Sequence, residues 1–353
     1  DMKGIDYMGT EALNPETLTA TAKTAFKNSD NTYMNGKQAW TKFMNQLTWD
    51  EMATLASDAN FSTPAIDSIG KPKTVDNDGP AQIGTQTNPC MNFACGTNIA
   101  STWNVDLVEE YGELIGSHAI NQGITGWYGP GLNIHRNPYG GRNYEYYSED
   151  AILTGKMASA AISGAASKGV VTYMKHFALN NQEENRHGVL TWADEQTMRE
   201  IYLKGFEIAV KEGGATGVMC SFNAIGGIGA CMNNHLTVKL LTEEWGFRGA
   251  IITDAYGDSG WPSGLIVRSQ TAPLGKYSSV VEGKWDAEKN LPVVKGEGSA
   301  TQYYAVRMTA QRMLYSVANS NGMKTTTPIS TKLEVWKFDE ENCGKEVTFK
   351  QGE

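Results

Sequence analysis

Short apolar segments alternate with helical patterns along the middle of the chain, and this alternation restricts the fold more than any other feature of the sequence. Segments 170–174, 216–220 and 250–253 are apolar and rich in β-branched residues, which is typical of buried strands. Segments 104–121 and 195–212 are predicted to be helices, the second with its apolar residues along one stripe. Repeated strand-then-helix order predicts a parallel sheet with right-handed crossovers.

Polar side chains follow several predicted strands at the point where each strand ends. They are Asp78, His135-Arg136, Lys175-His176, Ser221 with Asn223, and Asp254. The loops at the carboxyl face of a closed barrel converge on one site, whereas an open sheet concentrates its ligands at one switch point. The pattern therefore favours an α/β fold with an irregular (β/α)8-like TIM barrel.

The two ends of the chain depart from this pattern. Residues 1–45 are polar and rich in Thr and Asn, and are predicted to form an arm or linker. The barrel is expected over 46–320, with Thr48 and Glu51 spaced as a capping box at the start of its first helix. Residues 321–353 are predicted to be a linker and a C-terminal tail.

Composition narrows the classes of partner and site. The formal net charge is −9 and no basic block occurs, so nucleic acid is not expected as a partner. No apolar run approaches the roughly 20 residues of a membrane span, and no signal peptide is recognisable. The compartment stays open, with an extracellular or cell-surface location as our expectation. The five cysteines lack the spacing of a zinc site, and neither metal nor cofactor is expected.

Each polar candidate has a structural interpretation when taken alone. Asp254 could cap a helix, and Asp78 could be a turn residue before Gly-Pro. Arg142 could be an ion-pair partner, and Lys175-His176 could be a surface charge beside a core histidine. The joint pattern favours a functional site, because independent turn residues would not all fall at strand ends.

Four long motifs, in their order and spacing, resemble the barrel domain of glycoside hydrolase family 3, and the likeness extends over residues 46–320. They are Gly-Arg-Asn-Tyr-Glu-Tyr-Tyr-Ser-Glu-Asp at 141–150, Lys-His-Phe at 175–177 with Asn181, Gln182, Glu183 and Arg186 after it, the segment 194–203, and Gly-Phe-Arg-Gly-Ala-Ile-Ile-Thr-Asp at 246–254. The resemblance implies a retaining, exo-acting β-glycosidase, foremost a β-glucosidase, that hydrolyses terminal non-reducing β-linked sugars of oligosaccharides or glycosides.

The resemblance also implies residue roles. Asp254 would be the nucleophile that forms a covalent glycosyl-enzyme. The substrate-binding residues would be Asp78, Arg142, Lys175, His176 and Met219. A retaining enzyme needs one ionised carboxylate and one protonated carboxyl group about 5 to 5.5 Å apart. Nearby Lys175 and Arg142 would lower the pKa of carboxylates and keep them charged.

The second carboxyl group is not recognisable in this sequence. In most of the family it is a Glu on an α/β-sandwich domain, and single-domain members use a His-Asp pair after Lys-His-Phe, where this chain has Ala178-Leu179-Asn180-Asn181. We therefore expect the acid/base from a sandwich domain upstream or on a second chain, and we also consider a homo-oligomer. Alternatives are a non-catalytic sugar-binding barrel, an incomplete fragment, β-xylosidase or β-N-acetylglucosaminidase specificity, and a Schiff-base aldolase that uses Lys175.

Overall fold

The computed structural model describes residues 1–59, 61–83, 92–254, 263–274 and 300–323. Contacts along the chain divide it into two units, Asp1–Met323 and Lys324–Glu353, and the described residues all belong to the first. Within them, no helix combines the length and hydrophobicity that a bilayer span requires.

Nine strands lie within the described residues. They are β1 (Ser62–Thr63), β2 (Thr74–Asp78), β3 (Gly126–Tyr128), β4 (Val171–Phe177), β5 (Leu190–Thr191), β6 (Gly217–Cys220), β7 (Ala224–Ile225), β8 (Ile228–Gly229) and β9 (Ala250–Ile252). Six form one sheet in the order β1-β2-β3-β4-β6-β9, in which β1 runs antiparallel to β2 and all other neighbours run parallel. Strands β5, β7 and β8 form a separate small sheet. The predicted α/β class with a sheet rich in parallel strands is confirmed.

Helices precede the first strand of the main sheet, lie between its strands and follow its last strand. They are α1 (Ala20–Ala25), α2 (Gly36–Met44), α3 (Trp49–Ser57), α4 (Gly96–Ala100), α5 (Val105–Gln122), α6 (Ala151–Ser167), α7 (Glu195–Thr197), α8 (Lys204–Lys211), α9 (Ser263–Arg268) and α10 (Ala300–Ala318). The helix predicted over 195–212 is present, but it is π-helical over Met198–Tyr202, between α7 and α8. The predicted capping box of Thr48 and Glu51 is present at the start of α3.

Helices α5 and α6 pack with their backbones close together. A Cβ atom on Gly112 would clash with the backbone of α6 at Ala161, and one on Gly164 would clash with the backbone of α5 at Glu109. Glycine at both positions therefore permits the close approach, since no larger residue fits without separating the helices. This pair covers the sheet beside β3 and β4 and buries the largest hydrophobic cluster.

Residues 1–45, expected from the sequence to form an arm or linker, pack against α3 and α10. Their buried side chains join those of α3 and α10 in one cluster. Trp40 donates from Nε1 to the carbonyl of Ile5 at 2.8 Å, and Tyr7 donates from Oη to the carbonyl of Arg248 at 2.9 Å. Buried aromatic and aliphatic side chains, not the polar composition, thus decide how this segment packs. The boundaries at residues 45 and 320 stay predictions, and the predicted tail from 324 onward lies outside the described residues.

Candidate active site

Asp254 lies just past the carboxyl end of β9, as the apolar run before it predicted. Thr253, between the strand and Asp254, donates its backbone N–H to the carbonyl of Ala272 at 3.0 Å, and its Oγ1 accepts from the N–H of Leu274 at 2.8 Å. These bonds fix the position of Thr253, directly before the carboxylate. The side chain of Asp254 is 13% exposed, which leaves it accessible at one edge of the sheet.

His176, near the end of β4, faces Asp254. Its Nε2 lies 3.6 Å from Oδ2 of Asp254, a contact too long to be a hydrogen bond. Asn133 fixes the backbone of His176, because its Oδ1 accepts from the N–H at 2.8 Å and its Nδ2 donates to the carbonyl at 2.9 Å. Burial, and then the charges of Arg142, Lys175 and Arg186, place the pKa of His176 well below its ordinary value. The imidazole is therefore neutral at physiological pH.

Lys175 and Asp78 form an ion pair across the sheet, from β4 to the end of β2. The distance from Nζ to Oδ1 is 2.6 Å, and the same oxygen accepts from the N–H of Gly79 at 2.8 Å. Partial burial raises the pKa of Asp78, but the Lys175 charge and these hydrogen bonds outweigh it and lower the pKa below its ordinary value. Asp78 is thus held as a carboxylate at neutral pH.

Arg142 is clamped by Glu145 in a bidentate ion pair. Its Nε and Nη2 donate to the two carboxylate oxygens, each at 2.7 Å. Glu145 is buried, whereas Arg142 is partly exposed and its charge lowers the pKa of both Asp78 and His176. Arg142 is thus an ion-pair partner. Its predicted contact with a sugar stays a prediction.

Several residues of the site were present in the sequence motifs without a role being predicted for them. Glu183 accepts from Arg186 at 2.7 Å, and the guanidinium of Arg186 lies 4.7 Å from the ring centroid of Phe222. The pairs Arg142–Glu145 and Glu183–Arg186 both have a spacing of three residues, and this charge pattern could have indicated them. Tyr146 and Asn180 have no comparable signal, because their contacts depend on the fold.

The remaining predicted residues are buried or hydrogen-bonded near the strand ends. Met219, in β6 beside Ile252, is buried in a cluster with aromatic residues of β3 and β4, and its predicted place near a sugar ring stays a prediction. Ser221 and Asn223 both donate to the carbonyl of Ala178, at 2.8 and 3.1 Å, and so brace the loop after β4. Arg136 donates to Tyr202.

Metal-ligating side chains are not grouped in the part of the chain that the structure describes: no set of three His, Cys, Asp or Glu residues could hold an ion there. Cys95, Cys220 and Cys231 are free thiols. Cys90 lies outside the described residues.

The segment that holds these residues is similar to known proteins. The model of the glycosyl hydrolase family 3 N-terminal domain matches residues 74–261, which include β2 through Asp254. A β-glucosidase of Rhizobium radiobacter is 38% identical over 280 residues, 77% of this chain and 33% of the relative. An exo-α-(1→6)-L-arabinopyranosidase of Bifidobacterium breve is 37% identical over 221 residues, 59% of this chain and 29% of that protein.

Solved structures agree with this likeness. The crystal structure of a Bifidobacterium adolescentis family 3 β-glucosidase matches with a TM-score of 0.71 and 30% identity over 81% of this chain and 41% of that one. The chain thus spans well under half the length of these relatives. The family model matches the segment that holds the motifs and strands β2, β4 and β9, and the solved structure matches the fold. The chain therefore belongs to glycosyl hydrolase family 3.

Proposed function

We propose that this chain is the sugar-binding and nucleophile-bearing part of a retaining, exo-acting β-glycosidase, foremost a β-glucosidase. The observation that carries the proposal is the position of Asp254, a carboxylate at a strand end that faces a neutral His176 within a group of cations. The β-glucosidase relatives support the class of substrate. Positive charges from Arg142, Lys175 and Arg186 near this point favour ionised carboxylates.

In the proposed reaction an oxygen of Asp254 attacks the anomeric carbon while the bond to the leaving oxygen breaks. The product is a covalent glycosyl-enzyme, and water then hydrolyses it with retention of configuration. A protonated carboxyl group must deliver a proton to the leaving oxygen in the first step, and the carboxylate that this leaves must remove a proton from the attacking water in the second. We place that acid/base outside this chain, in a sandwich domain upstream or on a second chain. The chain's share of its relatives' length supports this placement.

Substrate recognition is proposed to use the ionic groups that line the site. Asp78 as a carboxylate can accept from sugar hydroxyls, while Arg142 and Lys175 can donate to hydroxyl oxygens. Ion pairs with Glu145 and with each other hold these groups in place before a sugar binds. Hydrogen bonds from these residues to the sugar that shorten as the sugar ring flattens in the transition state would raise the reaction rate, and not the affinity alone.

We propose that the main sheet belongs to an irregular (β/α)8-like barrel. Ala272 pairs in parallel with Ile252, so the chain continues the sheet past β9. The polar residues at the carboxyl ends of β2, β4 and β9 lie at one edge, which is where barrel enzymes place their active sites.

Covalent trapping tests the nucleophile without the missing acid/base. A dinitrophenyl 2-deoxy-2-fluoro-β-glucoside has a leaving group that departs without protonation, and its fluorine slows hydrolysis of the intermediate. Intact mass should show one added fluoroglucosyl group, and peptide mapping should place it on Asp254. Asp254→Asn should form no adduct, whereas Asp106→Asn, an exposed change on α5, should react like the unmodified chain.

Two results would contradict the assignment: an adduct on another residue, or equal trapping by Asp254→Asn. Glucose binding by calorimetry without any adduct would favour the non-catalytic sugar-binding alternative. Trapping with the xyloside, galactoside and N-acetylglucosaminide equivalents, and with an α-L-arabinopyranoside because of that relative, would establish which sugar is preferred. Turnover of an ordinary aryl glucoside only after a sandwich-domain partner is added would support the proposed division of the site.

A further inference from the structure

The ring of His176 lies between two oxygen-bearing side chains. Its Nδ1 is 3.1 Å from Oη of Tyr146, and its Nε2 is 3.6 Å from Oδ2 of Asp254. Both Tyr146 and His176 are buried, and their rings pack edge to face with centroids 6.2 Å apart. A neutral imidazole carries one N–H, so the two contacts cannot both be donated by the ring.

The hydrogen-bond direction at Tyr146 follows from the residues behind it. Nδ2 of Asn180 lies 3.1 Å from Oη of Tyr146 and 3.1 Å from Oε1 of Glu183. Glu183, in its ion pair with Arg186, can only accept, so the amide nitrogen rather than the amide oxygen must face it. The two hydrogens of that nitrogen then serve Glu183 and Tyr146.

With Oη of Tyr146 accepting from Asn180, its own hydrogen is directed to Nδ1 of His176. The opposite arrangement would require the carbonyl oxygen of Asn180 to face the carboxylate of Glu183, and two acceptors at that distance repel each other. Burial, foremost, raises the pKa of Tyr146 well above its ordinary value, so the phenol keeps its proton as a donor. Nδ1 is thereby the acceptor, and the single ring hydrogen belongs to Nε2.

We propose that Tyr146 is a positioning residue that holds His176 as the Nε2–H tautomer and aims that N–H at Asp254. This inference rests on the proposed role of Asp254 as nucleophile. The other tautomer would direct a lone pair at the carboxylate and raise its energy. The direction of the hydrogen bond from Tyr146 is fixed by Asn180, Glu183 and Arg186. The motif around 180–186 thereby has a role in the site.

Histidine tautomers can be measured directly by long-range proton–nitrogen correlation of the full chain labelled with ¹⁵N-histidine. At pH 7 the His176 signal, assigned by its loss in His176→Gln, should show a protonated Nε2 and an unprotonated Nδ1. Tyr146→Phe keeps the ring and removes only Oη, so the Nδ1–H form should appear and the pKa of His176 should rise. Tyr147→Phe, at the neighbouring buried tyrosine, should leave the His176 signals unchanged.

Trapping kinetics provide the functional measurement. Tyr146→Phe should lower the saturating trapping rate about tenfold while the half-saturating concentration changes less than about twofold, since the sugar contacts are kept. Tyr147→Phe should match the unmodified chain. Asn180→Ala should change the His176 tautomer and the trapping rate in the same direction as Tyr146→Phe. If the unfolding transition shows that Tyr146→Phe does not fold, Asn180→Ala replaces it in both measurements.

An Nδ1–H or doubly protonated His176 in the unmodified chain would overturn the inference, as would an unchanged tautomer and rate in Tyr146→Phe. If the unmodified chain forms no adduct at all, the proposed nucleophile is wrong. The tautomer measurement then still decides whether Tyr146 positions His176.

Discussion

The ammonium of Lys175 lies 2.6 Å from Oδ1 of Asp78, although the lysine side chain is only 3% exposed and the aspartate side chain is 57% exposed. The two residues are 97 positions apart in the chain and meet because β2 and β4 both flank β3. The buried charge depends on a more exposed partner, so the two members of the pair are not equivalent.

Removing Asp78 should therefore destabilise the fold more than removing Lys175. Asp78→Asn leaves a buried ammonium beside a neutral amide and should lower the free energy of unfolding by about 1 to 3 kcal/mol. Lys175→Met removes the buried charge and fills its space, and should cost less than about 1 kcal/mol because the remaining carboxylate is largely solvated. Urea unfolding at pH 7 measures both, and a larger loss for Lys175→Met would contradict this account.

The same pair predicts a pH effect with a definite sign. The pKa of Asp78 is lowered in the folded chain, so its contribution to stability is present at neutral pH. That contribution should be lost as the pH falls below the ordinary aspartate pKa, about 3.9, and through the lower folded value. Unfolding measured between pH 6 and the acid limit of folding should show a shallower loss in Lys175→Met than in the unmodified chain.

Asp76, two residues before Asp78 in β2, predicts the opposite dependence. Its burial raises its pKa to about 7, against the opposing effects of Lys71 and a hydrogen bond with Tyr173. Stability from this group is fully present below the unfolded pKa of about 3.9 and is lost as pH rises through 7, by up to about 4 kcal/mol. The difference in unfolding free energy between the unmodified chain and Asp76→Asn, measured from pH 4 to 8, should change in this sense. A constant difference would show that Asp76 titrates normally.

Glu145 holds Arg142, so its removal should affect sugar binding more than chemistry. Glu145→Gln loses the bidentate pair and frees the guanidinium to take other rotamers. The half-saturating concentration in the trapping reaction should rise about tenfold with little change in the saturating rate. Glu149→Gln, an exposed change nearby, is the matched control and should have no effect. A fall in the saturating rate alone would place Arg142 away from the bound sugar.

Gly131 allows Tyr146 to approach the site. A Cβ atom at this position would lie 2.9 Å from Cδ1 of Tyr146 and 3.2 Å from Oε1 of Glu145. Gly131→Ala should therefore displace the tyrosine ring, cost about 1 to 3 kcal/mol of stability and slow trapping. Gly188→Ala meets only one atom, at 3.9 Å, and should remain within about 0.5 kcal/mol of the unmodified chain.

Local features of the fold were predictable because they depend on neighbours in the chain. The apolar run before Asp254 predicted β9, and the run before Lys175 predicted β4, since alternation and β-branching act over a few residues. The packed N-terminal segment was not predicted. Its buried residues, such as Trp40 and Tyr7, have partners on α10 that lie far along the chain.

The sequence by itself determined the strand before Asp254, the strand that carries Lys175 and the family that the motifs resemble, although β3 ends at Tyr128, before His135, and β4 continues through Lys175 to Phe177. These properties follow from short-range periodicity and spacing. Only the tertiary structure decided that Lys175 meets Asp78, that Glu145 holds Arg142, and that Tyr146 faces Nδ1 of His176. Such contacts depend on the register of strands and on loops that close over long separations, and the energy of a buried polar group is decided by the partner that the fold brings to it.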